Sequence, residues 1–418
     1  RARLETMFDE ILKNPTNLDL TYDYARLATA AGDYEAAITA YERLLLFNPS
    51  LPRVKAELGV LYYRLGSFDT AKAYLEQALS EGDAPPAARQ RIESFLAQIA
   101  NSKTRHLMSG SLAFGTRYQT NGNAGPDGQI LVNDVLFTAD DGTAGEDDFN
   151  MFAALSGRYV YDLGVDSGDF FAVEGTLYGA RQFKFTELDV EHARIVAGPG
   201  FRIYPKASGP VLFRPSVRLT YARLDDESYN FAYGAGIDFS WQAFDETSLF
   251  VNAFAEAREY YATTERTTAD TQDGAAVRFT AGALHNLNDR VTLRGEVLAG
   301  RVYAFDPSEA YQEIGGAISV SARLTSPFEG STDMPALASP WSLSTSLNYA
   351  HRDYEGANTL VSATVRQEDE IRIEGTLAAP IAKQWSLFAT LGYQNNAANL
   401  PNNDYDNFSA TLGANMRF

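Results

Sequence analysis

The sequence contains no cysteine in 418 residues, which excludes disulfides, thiolate metal sites and cysteine nucleophiles together. It also lacks an apolar run near the roughly 20 residues that a membrane-spanning helix needs. A membrane-spanning β-barrel is still possible, because only alternate residues of its strands have to be apolar. The net charge of −19 argues against a nucleic-acid partner.

Catalytic patterns are absent as well. The four histidines (His106, His192, His285 and His351) have neither metal-binding nor triad spacing, and no Walker loop or dinucleotide fingerprint occurs. We therefore expect a protein that is not an enzyme, with no catalytic residue, no metal site and no cofactor.

The first hundred residues carry a repeat. "GDYEAAITAYERLLLFNP" from Gly32 is followed 34 residues later by "GSFDTAKAYLEQALSEGD" from Gly66. Small residues at helix crossings with this period are the tetratricopeptide signature. The segment "MFDEILKNP" resembles the second helix of an earlier repeat, so we expect the array to begin upstream of Arg1. We assign residues 1–101 to this domain, closed by a capping helix over 85–100 that begins at Pro85 and Pro86.

After about Asn101 the apolar period changes from helical to two, which is typical of strands. Fourteen alternating segments follow, each longer than the roughly 9–11 residues that a tilted strand needs to cross a bilayer. The predicted fold class is therefore α+β multi-domain: N-terminal α-helical tetratricopeptide repeats, then a 14-stranded antiparallel transmembrane β-barrel over residues 102–418.

The connections between these segments differ in length at the two ends of the barrel. One end has short turns ("LGVDSG", "PKASGP", "FDE", "NLND" and "PIAKQ"), with "TSPFEGSTDMPALAS" as a long exception, and the other has long loops at residues 119–147 and 261–272. Outer-membrane barrels have short periplasmic turns and long outer loops. The pattern predicts a Gram-negative outer-membrane protein in contact with membrane lipids, with its helical domain in the periplasm.

One face of each segment is apolar and the other carries charge. The three tryptophans Trp241, Trp341 and Trp385 fall on the apolar face at the short-turn end, where an interfacial aromatic girdle belongs. The charged face is predicted to line the lumen, either as an ion-pair lattice that fills it or as a path for a passing chain. The predicted lumen residues are Arg158, Arg194, Arg202, Arg214, Arg218, Arg258, Arg278, Arg294, Arg372, Glu174, Asp238, Glu256, Glu296 and Glu374.

The chain closes on "TLGANMRF", an alternating strand that ends in Phe418. Such a strand must pair with the first one to close a barrel, because closure removes both sheet edges. The spacing of Thr411, Gly413, Met416 and Phe418 resembles the C-terminal signal that the outer-membrane barrel assembly machinery recognises.

The first long loop is acidic and carries no basic residue. Two interpretations are open for it: a solvated outer loop, or a binding site for a divalent cation. Its acidic residues are Asp127, Asp134, Asp140, Asp141, Glu146, Asp147 and Asp148.

Tetratricopeptide repeats followed by a fourteen-stranded barrel, with "LAFGTRYQTNGNAGP" where the barrel begins, resemble the surface lipoprotein assembly modulators of the type XI secretion route. Asn121 and Asn123 lie in this polar stretch. The resemblance implies an outer-membrane translocator whose periplasmic repeats recruit an exported protein client, either a lipoprotein or a soluble secreted protein. Two alternatives are an exopolysaccharide export porin with a repeat scaffold, and a diffusion pore whose repeats dock envelope partners.

Overall fold

The computed structural model of the chain divides into two compact units, residues 1–105 and 106–418. The first unit is helical and the second is built from strands. None of the described helices is long and apolar enough to cross a membrane. The structure describes residues 2–14, 17–80, 86–102, 105–140, 142–164, 168–204, 209–244, 246–329 and 336–418.

The helices begin at residue types that favour helix starts. The side chain of Asn17 accepts a hydrogen bond from the Leu20 N–H at 3.0 Å, and Asp33 accepts one from the Ala36 N–H at 3.2 Å. Proline opens the fourth helix at Pro52. The described part of this unit contains six helices: α1 (Ala2–Lys13), α2 (Leu18–Ala30), α3 (Tyr34–Phe47), α4 (Pro52–Arg64), α5 (Phe68–Ser80) and α6 (Pro86–Ser102).

The predicted repeats correspond to α2 with α3 and α4 with α5. Ala37 and Ala71 are fully buried at equivalent positions, which lets the paired helices approach closely. Gly59 is required where α4 crosses α5, because a Cβ at this position would lie 2.5 Å from Leu75 Cγ. The predicted capping helix is α6, which extends two residues beyond residue 100; Arg1 and Pro85 lie outside the described residues.

The strand unit is a closed antiparallel barrel with consecutive strands as neighbours, and the predicted count of fourteen is confirmed for the described chain. Two further short strands, β2 and β3, form a separate hairpin. In chain order the strands are β1 (His106–Gln119), β2 (Gln129–Val132), β3 (Val135–Thr138), β4 (Asp148–Asp162), β5 (Phe170–Gln182), β6 (Val190–Ile203), β7 (Val211–Leu224), β8 (Glu227–Phe244), β9 (Thr247–Tyr260), β10 (Gly274–Asn288), β11 (Val291–Ala304), β12 (Tyr311–Leu324), β13 (Trp341–Tyr354), β14 (Gln367–Pro380), β15 (Trp385–Ala398) and β16 (Tyr405–Arg417).

The barrel closes where β1 meets β16, as the sequence predicts. The register runs from Ser111 opposite Arg417 to Gln119 opposite Ser409, and β1 pairs on its other side with β4. Phe418 extends the pairing: the Gly110 N–H donates to its carbonyl at 2.9 Å and its own N–H donates to the Gly110 carbonyl at 3.1 Å. Neither terminal strand is left with a free edge.

The outer face of the barrel is apolar. Large aliphatic and aromatic side chains at alternate strand positions are exposed on it, among them Leu177, Val217, Val297, Ile318 and Leu412. A soluble protein would bury such side chains, whereas an apolar band around a closed barrel is suited to contact with lipid hydrocarbon. The barrel is therefore built to span a membrane.

The two ends of the barrel differ, but less regularly than predicted. At the loop end, β7 and β8 are joined by a tight turn at Asp225 and Asp226, both with positive φ. The long loop of residues 119–147 contains the hairpin β2–β3. Short helical turns lie at Thr186–Leu188, Ala269–Gln272 and Pro401–Asn403. Parts of four predicted connections at the short-turn end, residues 165–167, 205–208, 245 and 330–335, lie outside the described residues.

Candidate functional site: the lumen of the barrel

Strand alternation determines which side chains face the lumen. On β9, for example, Leu249 and Ala255 are exposed on the outer face, whereas Glu256 and Arg258 are on the opposite face and form an ion pair at 3.0 Å. The same alternation places all fourteen predicted lumen residues on the face opposite the exposed apolar residues of their strands.

Arg214 is the centre of one group of charges. Its Nη1 lies 2.6 Å from a Glu174 oxygen, and its Nε lies 3.3 Å from Asp238 on β8. Arg158 on β4 approaches the same Glu174 at 3.3 Å. Two carboxylates therefore hold two arginines across β4, β5, β7 and β8, and the Arg214 side chain is largely buried between them.

Three more predicted arginines have carboxylate partners. Arg294 contacts Glu296 at 2.7 Å, along its own strand. Arg278 contacts Glu313 at 2.7 Å, and Arg372 contacts Glu370 at 2.7 Å. Neither Glu313 nor Glu370 is among the sequence-predicted lumen residues.

The densest charge cluster centres on Arg352, which the sequence analysis missed. Its guanidinium lies 3.2 Å from Glu313, 3.5 Å from Glu368 and 2.9 Å from Glu370. These three carboxylates are largely buried. The signal was present in the alternation, since Glu368 and Glu370 share one face of β14 with the predicted Arg372.

Four of the predicted lumen residues have no ion-pair partner within 4 Å in the described part of the chain: Arg194, Arg202, Arg218 and Glu374. The Arg194 Nε donates to the Thr220 hydroxyl at 3.3 Å. Arg218 lies 3.9 Å above the Phe254 ring, and Arg202 lies 5.6 Å from the centre of the Phe170 ring. Aromatic faces and hydroxyls take the place of carboxylates here.

Glu374 lines a cavity of about 470 Å³ on the lumen side of the closing strands. Arg117 and Arg372 line the same cavity, and Arg117 is a further lumen residue missed by the sequence analysis. Its Nε donates to the Thr411 hydroxyl at 3.3 Å, and its guanidinium lies 5.5 Å from the centre of the Phe152 ring.

The three tryptophans lie at the short-turn ends of their strands. Trp341 opens β13 and Trp385 opens β15, while Trp241 lies near the end of β8. The Trp341 Nε1 donates to the Leu337 carbonyl at 3.2 Å, and the Trp385 ring contacts that of Phe114, with the centroids 6.2 Å apart. All three share the face of the exposed apolar residues of their strands.

The four residues of the predicted assembly signal are divided between the two faces of β16. Met416 and Phe418 share the outer face with the exposed Leu412, whereas Thr411 and Gly413 face the lumen. Thr411 is buried, and Phe418 is half-exposed with its ring over Gly110.

The acidic loop is held by hydrogen bonds. Asp134 accepts from the Ser362 hydroxyl and the Ala363 N–H, and these bonds lower the pKa of its carboxyl. Glu146 pairs with Lys184, which lowers the Glu146 pKa. Asp148 accepts from the Lys184 N–H at 3.0 Å. Asp141 lies outside the described residues, and the described chain contains no group of three or more acidic or histidine side chains that could hold a metal ion.

Asn121 and Asn123 organise the start of this loop. The Asn121 amide donates to the Gly125 carbonyl at 2.8 Å and accepts from the Gly125 N–H at 2.9 Å. Asn123 donates to the Ala144 carbonyl at 2.8 Å and accepts from the Glu146 N–H at 3.0 Å. Asn121 thus closes a turn at the start of the loop, and Asn123 joins its two ends.

Comparison with known proteins gives different relatives for the two units. A family model of the tetratricopeptide repeat matches residues 14–99. The Yersinia enterocolitica type III secretion chaperone SycD, solved with a peptide of the translocator YopD, is 17% identical, with 24% of this chain and 79% of that chain covered and a TM-score of 0.23.

For the barrel, an anion-selective porin from Comamonas acidovorans is 11% identical, with 75% of this chain and 99% of that chain covered and a TM-score of 0.36. A structure described as a bacterial polysaccharide outer membrane secretin is 9% identical, with 74% and 98% covered and the same TM-score. No functionally curated protein matches the chain. The chain thus combines a tetratricopeptide-repeat unit with a closed fourteen-stranded barrel.

Proposed function

We propose that this protein is a non-enzymatic outer-membrane translocator that exports a polypeptide client, recruited by its helical repeats. The observation that carries this proposal is the presence of a tetratricopeptide-repeat unit and a closed membrane barrel in one chain. Stacked repeats offer an extended surface for a peptide. A barrel could let a chain cross the membrane through its lumen or along the junction of its first and last strands.

The Gram-negative outer membrane is the proposed location because closed barrels with an apolar outer face are the strand-built proteins of that membrane. The C-terminal pairing of Phe418 with Gly110 supports recognition by the barrel assembly machinery. The proposed partners are outer-membrane lipids, this machinery and the client, and no nucleic acid.

The proposed orientation places the short-turn end in the periplasm, as in other outer-membrane barrels. The chain enters the barrel at that end, because His106 pairs with Tyr161 beside the turn after β4. Helices attached there would raise the effective concentration of a weakly bound client at the periplasmic mouth. Such tethering is useful to an exporter, whereas a diffusion pore has no need of it.

The client would have to pass as an unfolded chain, or beside the closing strands. Fourteen strands enclose less room than the 16–18 of open porins, and the lumen carries the arginine and glutamate side chains described above. A folded domain therefore has no passage through the interior. The alternative route is the seam between β1 and β16, with help from the assembly machinery.

Deletion of residues 1–101 tests this proposal in cells. The truncated chain should still show the heat-modifiable gel migration of a folded barrel, while one surface lipoprotein or secreted protein disappears from the cell surface or medium. A photo-reactive residue in place of Arg53, which is exposed on α4, should crosslink the intact chain to that client.

Other outcomes of the deletion would contradict the proposal. Loss of a surface polysaccharide with every surface protein retained would assign the chain to polysaccharide export. Unchanged surface proteins and polysaccharides, with solute uptake lost only when the barrel itself is removed, would identify a diffusion pore.

A further inference from the structure

Four arginines form a row on the lumen face of two adjacent strands. Arg194 and Arg202 lie on β6, and Arg214 and Arg218 lie on β7. In the register of these strands, Arg194 pairs with Thr220, Val196 with Arg218, and Arg202 with Leu212. The row therefore runs along most of the strand length. Arg194 and the level of Arg218 are two residues apart, which is about 6.6 Å along the strand. We call these four residues the arginine ladder.

The ladder is free of acidic residues on its own strands. All lumen-facing positions of β6 and β7 are described, and none of them carries a carboxylate; Glu191 is on the outer face, paired with Arg181 and Arg223. Neighbouring strands supply Glu174 and Asp238, and both of these contact Arg214. Only one member of the ladder is thus neutralised by close contacts.

Arg218 is held in place without losing its charge. It pairs with Gly234 on β8, and the absence of a side chain there lets its guanidinium reach the Phe254 ring on β9 at 3.9 Å. An aromatic face stabilises a guanidinium from one side. No carboxylate in the described chain forms an ion pair with this charge, and arginine stays protonated at every physiological pH.

The opposite wall is close to neutral. In the strand order, β13 and β14 lie half-way round the ring from β6 and β7. That wall carries Glu368, Glu370 and Glu374 together with Arg352 and Arg372, and these two arginines contact the first two glutamates. The positive potential in the lumen is therefore strongest along the arginine ladder.

We propose that the arginine ladder is an anion path and makes the lumen selective for anions, in a chain whose net charge is −19. The groups it recognises are chloride, carboxylate and phosphate, which accept hydrogen bonds from guanidinium edges. This inference concerns the lumen alone. It does not depend on which client the helical repeats bind, and it can fail while the export proposal stands.

Reversal potentials of the full-length protein in planar bilayers test the inference. In a gradient of potassium chloride, the wild-type protein should pass chloride in preference to potassium. The double variant Arg194→Gln, Arg218→Gln should move the chloride-to-potassium permeability ratio toward one. Sodium tripolyphosphate should reduce the current of the wild type more strongly than that of the double variant.

The double variant Arg181→Gln, Arg223→Gln is the matched control, since it also removes two positive charges near the loop end of the barrel but from the outer face. It should leave the ratio at its wild-type value. A second variant, Glu374→Gln, removes a charge from the facing wall and should increase the preference for chloride, so the test does not depend on the ladder variants folding. Two results for the wild-type protein would overturn the anion path: no conductance, or a preference for potassium. An unchanged permeability ratio in the double variant of the ladder would overturn it as well.

Discussion

Gly110 and Phe418 extend the strand pairing that closes the barrel. The two backbone hydrogen bonds between them continue the β1–β16 ladder by one step. A Cβ on Gly110 would lie 2.6 Å from Phe418 Cζ, so the glycine leaves the space that the aromatic ring occupies. The ring thus covers a position where the sheet has no side chain of its own.

We expect Phe418→Ala to impair assembly more than the stability of the finished barrel. The ring is half-exposed on the outer face, so its loss removes little packing, but it removes the terminal aromatic of the predicted assembly signal. Less protein should be found inserted in outer membranes, while the inserted fraction keeps its heat-modifiable migration. Phe408→Ala, on the same face of β16, is the control and should insert normally. Equal insertion of the two variants would contradict this role.

Arg352 contacts three carboxylates, the largest number for one arginine among the lumen contacts described above. Its replacement by alanine would remove the cation that Glu313, Glu368 and Glu370 share. Each of the three carboxylates would keep one other arginine: Arg278, Arg366 and Arg372, respectively. Removing one partner of a buried ion pair costs about 3–5 kcal/mol when the other charge is left uncompensated, and the remaining arginines reduce that cost here. We expect Arg352→Ala to lower the temperature at which the barrel loses its folded gel migration.

Arg301→Ala is a control for this substitution. Arg301 pairs with Glu355 at 2.7 Å, but both side chains are substantially exposed. An exposed pair of this kind contributes about 0–1 kcal/mol. If Arg301→Ala lowers the transition temperature as much as Arg352→Ala does, the Arg352 cluster stabilises the barrel no more than an exposed ion pair.

At the scale of elements, the hairpin β2–β3 is fixed to two other loops rather than to the barrel wall. The Leu131 N–H donates to the Asn402 side chain at 2.7 Å, and Asn402 donates to the Leu131 carbonyl at 3.1 Å, which joins the hairpin to the loop between β15 and β16. The Asn133 N–H donates to the Leu360 carbonyl at 2.9 Å, and the Asp134 N–H to the Val361 carbonyl at 3.0 Å. The Asp134 carboxylate adds the bonds from Ser362 and Ala363. The tip of one loop is thus tied to the loop between β13 and β14.

We expect Asp134→Ala to release this hairpin. Proteases added outside the cell should cleave within residues 129–138 faster than in the wild type, while the barrel stays folded. Asp140→Ala is the control, because the Asp140 carboxylate accepts from the Thr143 hydroxyl within its own turn, and it should leave cleavage at 129–138 unchanged. Identical cleavage of the two variants would show that the carboxylate does not anchor the hairpin.

The same anchor has a defined pH dependence. Its hydrogen bonds lower the pKa of Asp134 in the folded state. A carboxyl with a lowered folded pKa contributes stability above its usual value of about 3.9, and this contribution is lost as the pH falls through the lowered pKa. Cleavage of the wild-type hairpin should therefore be constant from neutral pH down to about pH 4 and increase in more acidic solution.

The elements that the sequence predicts well are those with a strict period. Two-residue alternation located the barrel strands and their inner faces, because a slip of one residue would expose every charged side chain to lipid. The hairpin β2–β3 was not predicted, because its strands are short. Its turn at Asn133 and Asp134 also forms its hydrogen bonds with a loop more than 200 residues away in the sequence. Arg352 and Glu368 were missed for a different reason: they lie near strand ends, where alternation is difficult to separate from loop polarity.

At the scale of the whole molecule, the two units are stabilised in different ways. The helical unit has buried side chains at its centre, with Tyr41, Leu58, Leu61 and Leu75 almost fully removed from solvent. The barrel exposes its apolar residues and carries its charges inside. Hydrophobic burial in water therefore stabilises the first unit, whereas closure of the hydrogen-bonded ring and contact with lipid stabilise the second.

This difference predicts that a core substitution in the helices will not affect the barrel. Leu75 is fully buried against Gly59, so Leu75→Ala should destabilise the helical unit by about 2–5 kcal/mol through lost contacts and a cavity. In detergent, the helical circular dichroism signal should be lost at a lower urea concentration. The temperature at which the barrel loses its folded gel migration should stay at the wild-type value. Leu46→Ala, at a site that is 84% exposed, should change neither transition. A parallel shift of both transitions in Leu75→Ala would mean that the two units unfold as one, and stability would then have to be assigned to the chain as a whole.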